Sequence, residues 1–322
     1  DYVVLDEVHY LQDPYRGPVW EEVLIHAAPS VRFVCLSATV SNAEELTGWI
    51  STVRGPTELV VHEDRPVELT NLYLVHDRDA RRSHLVPTLV KGEANPEAAR
   101  FIDDRGNRRR GPKHRRRRRY ATPRRSEVLE VLEDHDMLPA ITFVFSRAGC
   151  DDAARQLVDD GAVLTEPREQ AQIREIAEHH VRNLRAAERD VLRFDRFLRG
   201  LERGVAAHHA GMVPAFKETV EELFLLGLVK VVAATETLAL GINMPARTVV
   251  LESLSKFNGE SHELLLASDY TQLTGRAGRR GIDDHGTAVV LHSSYVPFDR
   301  VSGIAAAGSN PLRSSFAPSY NM

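Results

Sequence analysis

The sequence predicts an α/β fold built on parallel sheets. Short runs of apolar and β-branched residues alternate with segments in which apolar residues recur every three or four positions. Strands that are buried on both faces are apolar throughout, whereas helices that cover a sheet are apolar on one side only. Polar residues directly follow several of the runs, at the strand ends where open parallel sheets bind ligands.

The apolar runs define the predicted strands. They span residues 2–5, 31–36, 58–61, 68–75, 140–145, 229–234, 248–251 and 287–291. Helical spacing between them defines the predicted helices, which span residues 19–27, 43–50, 126–133, 149–158 and 216–225. This alternation is typical of parallel sheets with helices on both faces.

The composition is that of a globular protein. Of the 322 residues, 43% are apolar and 27% are charged, which argues against a wholly disordered, collagenous or disulfide-rich chain. No run of about 18 apolar residues occurs, so the sequence predicts no transmembrane helix. The two cysteines, Cys35 and Cys150, fit a reducing compartment, and we expect a cytoplasmic location.

A domain boundary is predicted near residue 62, because residues 62–66 are polar and end in a proline. Residues 1–62 hold too few predicted strands for a complete domain of this class, whereas residues 63–302 hold a full set. Since a strand follows residue 1 at once, we expect the chain to begin inside a domain. Residues 166–203 have the pattern of one or two amphipathic helices inserted into the second domain.

A second insertion, residues 77–125, shows little periodicity, so we expect it to be disordered. Within it, residues 100–125 hold thirteen Lys and Arg against two Asp, although the whole chain has a net charge of -5. Two interpretations stay open for this basic run. It is either a solvated loop without a specific partner or an electrostatic tether for RNA that salt would screen.

Two adjacent carboxylates, Asp6 and Glu7, directly follow the first predicted strand. In phosphoryl transfer to water, one carboxylate can hold Mg²⁺ through water while its neighbour faces the nucleophile. The simpler interpretation, a solvated strand end or a helix N-cap, also stays open. Ser37 and Thr39 follow the second strand, where hydroxyls can bond such carboxylates or cap an ordinary turn.

A string rich in glycine and arginine, residues 272–281, is the most specific pattern in the chain. Arg276 and Arg279 are three residues apart, so on a helix they would project from one face and could converge on one anion. Arginines that reach a γ-phosphate stabilise the charge that develops in phosphoryl transfer. An arginine-rich helix C-terminus would suit the helix dipole, but it does not explain Gln272 or the repeated Gly-Arg pairs.

His208 and His209 suggest a metal site, but the sequence supplies no further Cys or His at ligand spacing. Side chains of adjacent residues on a strand also point to opposite faces. We therefore predict a structural or nucleic-acid-facing role for this pair.

Five segments resemble, in their order along the chain, the motifs of superfamily 2 DExH helicases. Motifs II, III, IV, V and VI correspond to residues 6–9, 37–39, 143–147, 234–245 and 272–279. Residues 206–212 and 311–322 are similar to the superkiller-type RNA helicases, and the excess of Arg over Lys favours an actinobacterial member.

The resemblance implies RecA-like domains: an incomplete first one over residues 1–62 and a complete second one over residues 63–302. Residues 303–322 would then begin a winged-helix module. The sequence departs from the family in containing no Gly-x-x-x-x-Gly-Lys-Ser/Thr loop, so we expect residues 1–322 alone not to turn over ATP.

The resemblance also implies roles for individual residues. It implies that Asp6 coordinates Mg²⁺ through water and that Glu7 activates the attacking water. Contact with the nucleotide or that water is implied for Gly241, Gln272, Arg276 and Arg279. Coupling of hydrolysis to strand separation is implied for His9, Ser37 and Thr39, and contact with the nucleic-acid backbone for Ser146, Arg147 and Thr235.

Together these roles imply an ATP-dependent RNA helicase that uses ATP and Mg²⁺. A single strand of RNA or DNA would lie in the groove between its domains, and a ribonuclease or another RNA-processing protein is a candidate partner. A DNA helicase of the same superfamily and a non-catalytic nucleic-acid-binding module stay open as alternatives.

Overall fold

The computed structural model of the chain divides into two compact units. It describes residues 1–13, 17–37, 40–62, 65–101, 119–239, 242–257, 261–307 and 312–315. The first unit comprises Asp1–Arg65, Leu266–Gln272 and Ala307–Met322, and the second comprises Pro66–Leu265 and Leu273–Ala306. Both units are α/β, which confirms the predicted fold class.

The first unit contains a parallel strand pair with helices. Its elements are β1 (Tyr2–Leu5), a 3-10 helix (Val8–Gln12), α1 (Gly17–His26), β2 (Arg32–Cys35) and α2 (Ala43–Arg54). β1 and β2 are parallel, with Leu5 opposite Cys35. A buried apolar cluster that includes Leu5, Leu11 and Leu24 joins the strands to the helices.

The predicted strand at residues 58–61 is wrong. These residues are described, and none of them belongs to a strand. Val60 is 82% exposed. An apolar run becomes a strand only where a partner strand satisfies its backbone groups, and no described strand pairs with this run.

The second unit is larger. Its elements in chain order are β3 (Glu68–Asp77), β4 (Arg82–Pro87), β5 (Leu89–Val90), β6 (Glu93–Ala94), α3 (Pro96–Ala99), β7 (Tyr120–Ala121), α4 (Arg125–Asp134), β8 (Ala140–Phe143), α5 (Arg147–Asp159), α6 (Pro167–His180), α7 (Ala186–Val191), α8 (Phe194–Glu202), β9 (Val205–His208), α9 (Pro214–Leu225), β10 (Val231–Ala234), a 3-10 helix (Glu236–Ala239), β11 (Thr248–Leu251), β12 (Ser255–Phe257), β13 (His262–Leu264), α10 (Ala267–Thr274), β14 (His285–Leu291) and α11 (Phe298–Ala306). The first six residues of α10 belong to the first unit.

An eight-stranded sheet forms the centre of the second unit. Its strand order is β4-β3-β14-β11-β8-β10-β9, with β7 also paired to β3. The strands from β3 to β9 in this order run parallel, whereas β4 and β7 are antiparallel to β3. Every residue of β9, β10 and β11 is buried, as continuous apolar runs predict.

Residues 166–203 are helical as predicted, although they form three helices, α6 to α8, and not one or two. The first of these begins at Pro167, where the Glu169 carboxylate accepts the Glu166 amide at 2.8 Å. This hydrogen bond satisfies the Glu166 amide, which has no partner inside the helix.

The expected disorder of residues 77–125 is wrong for the described part of that insertion. β4 extends the sheet, and β7 returns to pair with β3. At their junction, buried Asp77 accepts hydrogen bonds from Arg119, from Nε at 2.9 Å and Nη2 at 2.6 Å, and from the amides of Asp79 and Ala80. The arginine run up to residue 118 lies outside the described residues.

The hydrogen bonds from Arg119 and from the two amides outweigh burial and lower the pKa of Asp77 to about 2. Since this pKa lies below that of an unfolded Asp, the carboxylate stabilises the fold above about pH 4, and the effect is lost as the pH falls toward 2.

We predict that Asp77→Asn lowers the free energy of unfolding at pH 7 by about 1–3 kcal/mol, because charged hydrogen bonds at a buried site are lost. The difference from wild type should narrow between pH 4 and pH 2. Denaturant unfolding at several pH values measures both. Asp79→Asn is the control, since Asp79 is 75% exposed and its carboxylate lies 3.9 Å from Nε of the same Arg119. It therefore removes an exposed ion pair with Arg119 and keeps the buried one. An equal difference at pH 7 and pH 2 would contradict the interpretation.

Candidate functional site

Asp6 and Glu7 leave the carboxyl end of β1 and turn into the first 3-10 helix. The amide of Leu36 donates to the Leu5 carbonyl at 2.8 Å, and the amide of Val8 donates to the Leu36 carbonyl at 2.8 Å. These bonds continue the pairing of β1 and β2 past the strand ends. They fix the backbone on both sides of the carboxylate pair.

Glu7 has φ 56° and ψ 46°, in the left-handed region that residues with a side chain rarely adopt. Its amide donates to Asp6 Oδ1 at 3.0 Å, and its carbonyl accepts the Tyr10 amide at 2.9 Å. Asp6 is exposed, whereas the Glu7 side chain is 37% exposed. One Asp6 oxygen thus accepts a backbone amide of the loop, while both carboxylates remain accessible to solvent.

His9 lies beside Glu7. Its Nδ1 is 3.3 Å from Glu7 Oε2, and its ring stacks on that of Tyr10 with centroids 4.8 Å apart. The predicted coupling residue Ser37 is exposed just beyond β2. Because β1 and β2 are parallel and in register, Ser37 lies at the same sheet edge as the carboxylates. Thr39 lies outside the described residues.

The second unit brings Ser146, Arg147 and Thr235 to one sheet edge. β8 and β10 are adjacent and parallel, with Phe143 opposite Ala234, and these residues follow the two strands. Ser146 caps α5, where its hydroxyl accepts the Gly149 amide at 3.1 Å, and Thr235 Oγ1 lies 2.8 Å from Thr237 Oγ1. A helix N-terminus with adjacent hydroxyls and a guanidinium suits phosphate groups.

Sequence reasoning did not place His209 and Gly211 beside Arg147. His209 Nε2 lies 3.2 Å from Asp151 Oδ1, and its Nδ1 accepts the Gly211 amide at 3.1 Å. A Cβ on Gly211 would lie 3.3 Å from Arg147 Cδ. Glycine at this position therefore lets the loop lie close to Arg147. In the sequence, the only indication of this contact was a glycine shortly after the histidine pair.

His208 contacts a different helix, since its Nε2 lies 2.8 Å from Glu221 Oε1 on α9. Burial lowers its pKa, and the Glu221 carboxylate offsets part of that shift. The two histidines thus face opposite sides, as predicted. Within the described ranges, no group of three or more His, Cys, Asp or Glu side chains is placed to hold a metal ion.

The expectation that Arg276 and Arg279 share a helix face is wrong. α10 ends at Thr274, and Gln272 lies in its last turn. Residue 277 forms a parallel bridge with Ala246, and the flanking backbone pairs with Ala246 on both sides, at 2.9 Å and 2.8 Å. Arg276 donates through Nη2 to the carbonyl of Ala239. Gly241, two residues after Ala239, lies outside the described residues.

Asp283 holds Arg279 in a fixed orientation. Nε and Nη2 of Arg279 donate to the two Asp283 oxygens at 2.8 Å and 2.7 Å, and the Arg279 amide donates at 2.9 Å. These bonds raise the pKa of Arg279. Burial works against ionisation of Asp283, but the bonds from Arg279 bring its pKa below the usual value. In the sequence, the only indication of this ion pair was that Asp283 follows Arg279 by four residues.

Gly278 permits the turn between the two arginines. Its φ is 91°, and a Cβ there would lie 2.6 Å from Val67 Cγ1 and 3.2 Å from Gly286 Cα. Both the backbone conformation and the space therefore require glycine.

Comparison with known proteins agrees with this layout. Residues 1–46 match the family described as DEAD/DEAH box helicase, and residues 173–281 match the helicase conserved C-terminal domain. The chain is 53% identical to a probable helicase, HelY, of Mycobacterium tuberculosis. It is 41% identical to the chloroplastic DExH-box ATP-dependent RNA helicase DExH15 of Arabidopsis thaliana and 34% identical to the human Superkiller complex protein 2.

The chain belongs to the superfamily 2 DExH-box helicases. Each of these alignments covers all of the chain but only 36%, 30% and 27%, respectively, of the relative, so the chain spans about a third of their length. Its sheets are those of RecA-like helicase domains. No helix within the described ranges has both the length and the hydrophobicity that crossing a membrane requires.

We predict that Gly278→Ala destabilises this helicase segment more than Gly227→Ala. Gly227 also has a positive φ, 69°, but a Cβ there would meet nothing within 4 Å. Backbone strain should cost about 1–2 kcal/mol at either position, and overpacking should add about 1–3 kcal/mol at Gly278.

Thermal and denaturant unfolding measure both costs. Val67→Ala removes Cγ1, the nearest atom, and leaves Val67 Cβ at 2.9 Å, so it relieves part of the clash. The double variant should therefore be less destabilised than the sum of its two single variants. Equal losses for the two glycine variants would show that contact with Val67 does not determine the turn.

Proposed function

We propose that this chain forms part of an ATP-dependent RNA helicase that couples nucleic-acid-stimulated ATP hydrolysis to translocation and strand separation. The observation that carries the proposal is the Asp6–Glu7 pair at the end of β1, with Glu7 in a left-handed conformation beside His9. Strained residues other than glycine persist where their surroundings fix them, and they cluster at active sites.

Asp6 is the residue that we propose holds Mg²⁺. One of its oxygens accepts the Glu7 amide, and its exposure leaves the other available to a water-linked cation. Mg²⁺ keeps several waters and binds through one or two carboxylates together with substrate phosphates, so a single exposed carboxylate suits it. Bound ATP would supply the γ-phosphate, and Mg²⁺ would neutralise the charge that develops on it.

Glu7 is proposed to accept the proton of the attacking water. His9 Nδ1 lies 3.3 Å from Glu7 Oε2 without a hydrogen bond to it, so the imidazole borders the space that the carboxylate occupies. We propose that His9, Ser37 and Thr39 relay a change at this carboxylate to the rest of the first RecA-like domain.

Gln272, Arg276 and Arg279 are proposed to act on the nucleotide and the attacking water, with Gly241 on the nucleotide side. Asp283 engages Nε and Nη2 of Arg279, and the five donors of a guanidinium leave others for a phosphate oxygen. Arginines in this role contribute about 10³ to 10⁵ in rate. The Asp283 clamp would keep the guanidinium ordered before the nucleotide arrives.

Ser146, Arg147 and Thr235 are proposed to hold the nucleic-acid backbone. Hydroxyls, a guanidinium and the amides at the start of α5 contact phosphates without reading sequence, as a translocating motor requires. RNA is the proposed strand because a relative at 41% identity is named an RNA helicase. The human relative is named as a protein of a complex, which supports a protein partner, and we propose a ribonuclease or another RNA-processing protein.

We also propose the domain assignment. Residues 1–62 would be the C-terminal part of the first RecA-like domain, residues 63–302 the second, and residues 303–322 the start of a winged-helix module. Residues 312–315 of that last segment pack within the first unit. A cytoplasmic location stays a prediction.

In the full-length protein, Glu7→Gln should abolish RNA-stimulated ATP turnover and leave ATP binding intact, because the amide cannot accept a proton. Phosphate release and nucleotide binding are the two measurements. Glu44→Gln is the matched control, since Glu44 is exposed in the first turn of α2. Near-normal turnover in Glu7→Gln would contradict the assignment.

Matched RNA and DNA duplexes with identical single-stranded tails identify the substrate. We expect the full-length protein to unwind the RNA duplex faster, because contacts to the 2′-hydroxyl separate RNA from DNA. Faster unwinding of the DNA duplex would identify a DNA helicase. Binding of either strand without unwinding or ATP turnover would favour a non-catalytic module.

A further inference from the structure

Residues 312–315, here called the strap, belong to the first unit and pack on residues from the beginning of the chain. Leu312 is 9% exposed and joins the apolar cluster that contains Leu5, Val8 and Leu11. The Ser314 hydroxyl donates to Glu21 Oε1 on α1 at 2.5 Å. The strap is therefore part of the apolar core beneath the segment that carries Asp6 and Glu7.

Asn42 binds the backbone of the strap in both directions. Its Oδ1 accepts the Leu312 amide at 2.7 Å, and its Nδ2 donates to the Leu312 carbonyl at 2.9 Å. Asn42 directly precedes α2 and lies five residues after Ser37. One end of the strap is thus fixed to the segment that follows β2.

Ser315 binds the segment that follows β1. Its amide donates to the Leu11 carbonyl at 3.1 Å, and its hydroxyl lies 2.8 Å from the carbonyl oxygens of both Leu11 and Asp13. A Cβ on Gly17 would lie 2.2 Å from the Leu11 oxygen and from Ser315 Oγ. Only glycine at position 17 leaves room for this contact.

These contacts close the loop that begins at Glu7. The Glu7 carbonyl accepts the Tyr10 amide, the Tyr10 carbonyl accepts the Asp13 amide, and the strap binds Leu11 and Asp13 at the far end. A left-handed glutamate needs neighbours that fix it, because that conformation costs free energy. The strap supplies such a constraint by binding the carbonyls of Leu11 and Asp13. The amides of Tyr10 and Asp13 bind other carbonyls, those of Glu7 and Tyr10.

We propose that the strap positions Glu7 for catalysis by clamping the Val8–Gln12 helix. This inference rests on the proposed function, because it assumes that Glu7 activates water. Ser315 and Asn42 are positioning residues, since their contacts are to the Leu11 and Asp13 carbonyls and to the strap backbone. Positional errors of about 1 Å can cost about 100-fold in rate.

The test uses Ser315→Ala and Asn42→Ala in the full-length protein. We expect kcat for ATP to fall by between about 10-fold and 100-fold, with KM for ATP and affinity for single-stranded RNA within about twofold of wild type. Hydrogen–deuterium exchange of the amides from Val8 to Asp13 should become faster.

Ile50→Val is the control for a purely structural role. It trims the same apolar cluster, at a cost of about 0.5–1.5 kcal/mol, and keeps every hydrogen bond to the strap. At a matched shift in melting temperature, Ile50→Val should keep kcat. Equal losses of kcat in Ile50→Val and Ser315→Ala would overturn the inference.

The result for Glu7→Gln separates this inference from the proposed function. If Glu7→Gln abolishes turnover while Ser315→Ala and Asn42→Ala keep wild-type kcat, the proposed function stands and the positioning role falls. If Glu7→Gln itself keeps turnover, both fall.

Discussion

The parallel pairing of neighbouring strands is the constraint on which the rest of the molecule depends. In the first unit, the register of β1 and β2 brings Asp6 and Ser37 to one sheet edge. In the second unit, the register of β8 and β10 does the same for Ser146 and Thr235. These four proposed site residues therefore lie where strands end, as ligand sites of parallel sheets do.

Glu7 and Arg279 are each held by partners that the sequence motifs do not reveal. Glu7 is fixed by the extended pairing of β1 with β2 and by the strap, and Arg279 is fixed by Asp283. Gly278 allows the turn that carries Arg279 to pack against Val67. Preorganisation of this kind is what charge stabilisation in phosphoryl transfer needs, because the groups need not reorganise during the reaction.

The sequence pattern predicted strands correctly where a neighbouring strand pairs with an apolar run. It failed where contacts between distant residues determine the secondary structure. The run at residues 248–251 is a strand because β8 and β14 satisfy it on both sides, and the run at residues 2–5 is a strand because β2 pairs with it on one side. The run at 58–61 lacks such a neighbour among the described strands, whereas β4 forms despite a polar sequence because β3 pairs with it. Arg276 and Arg279 keep their three-residue spacing but not the helix, since α10 ends at Thr274 and the backbone around residue 277 pairs with Ala246 instead. The roles of the site residues remain proposals.

A structure of the full-length protein with Mg²⁺ and a non-hydrolysable ATP analogue would show whether the proposed site residues meet at the nucleotide. We expect Asp6 to contact the cation through water and Glu7 to lie within hydrogen-bonding distance of a water in line with the γ-phosphate. We expect Arg279 to contact a γ-phosphate oxygen while Asp283 still holds it. An analogue bound with Glu7 directed away from the γ-phosphate, or with Arg279 remote from it, would contradict the account.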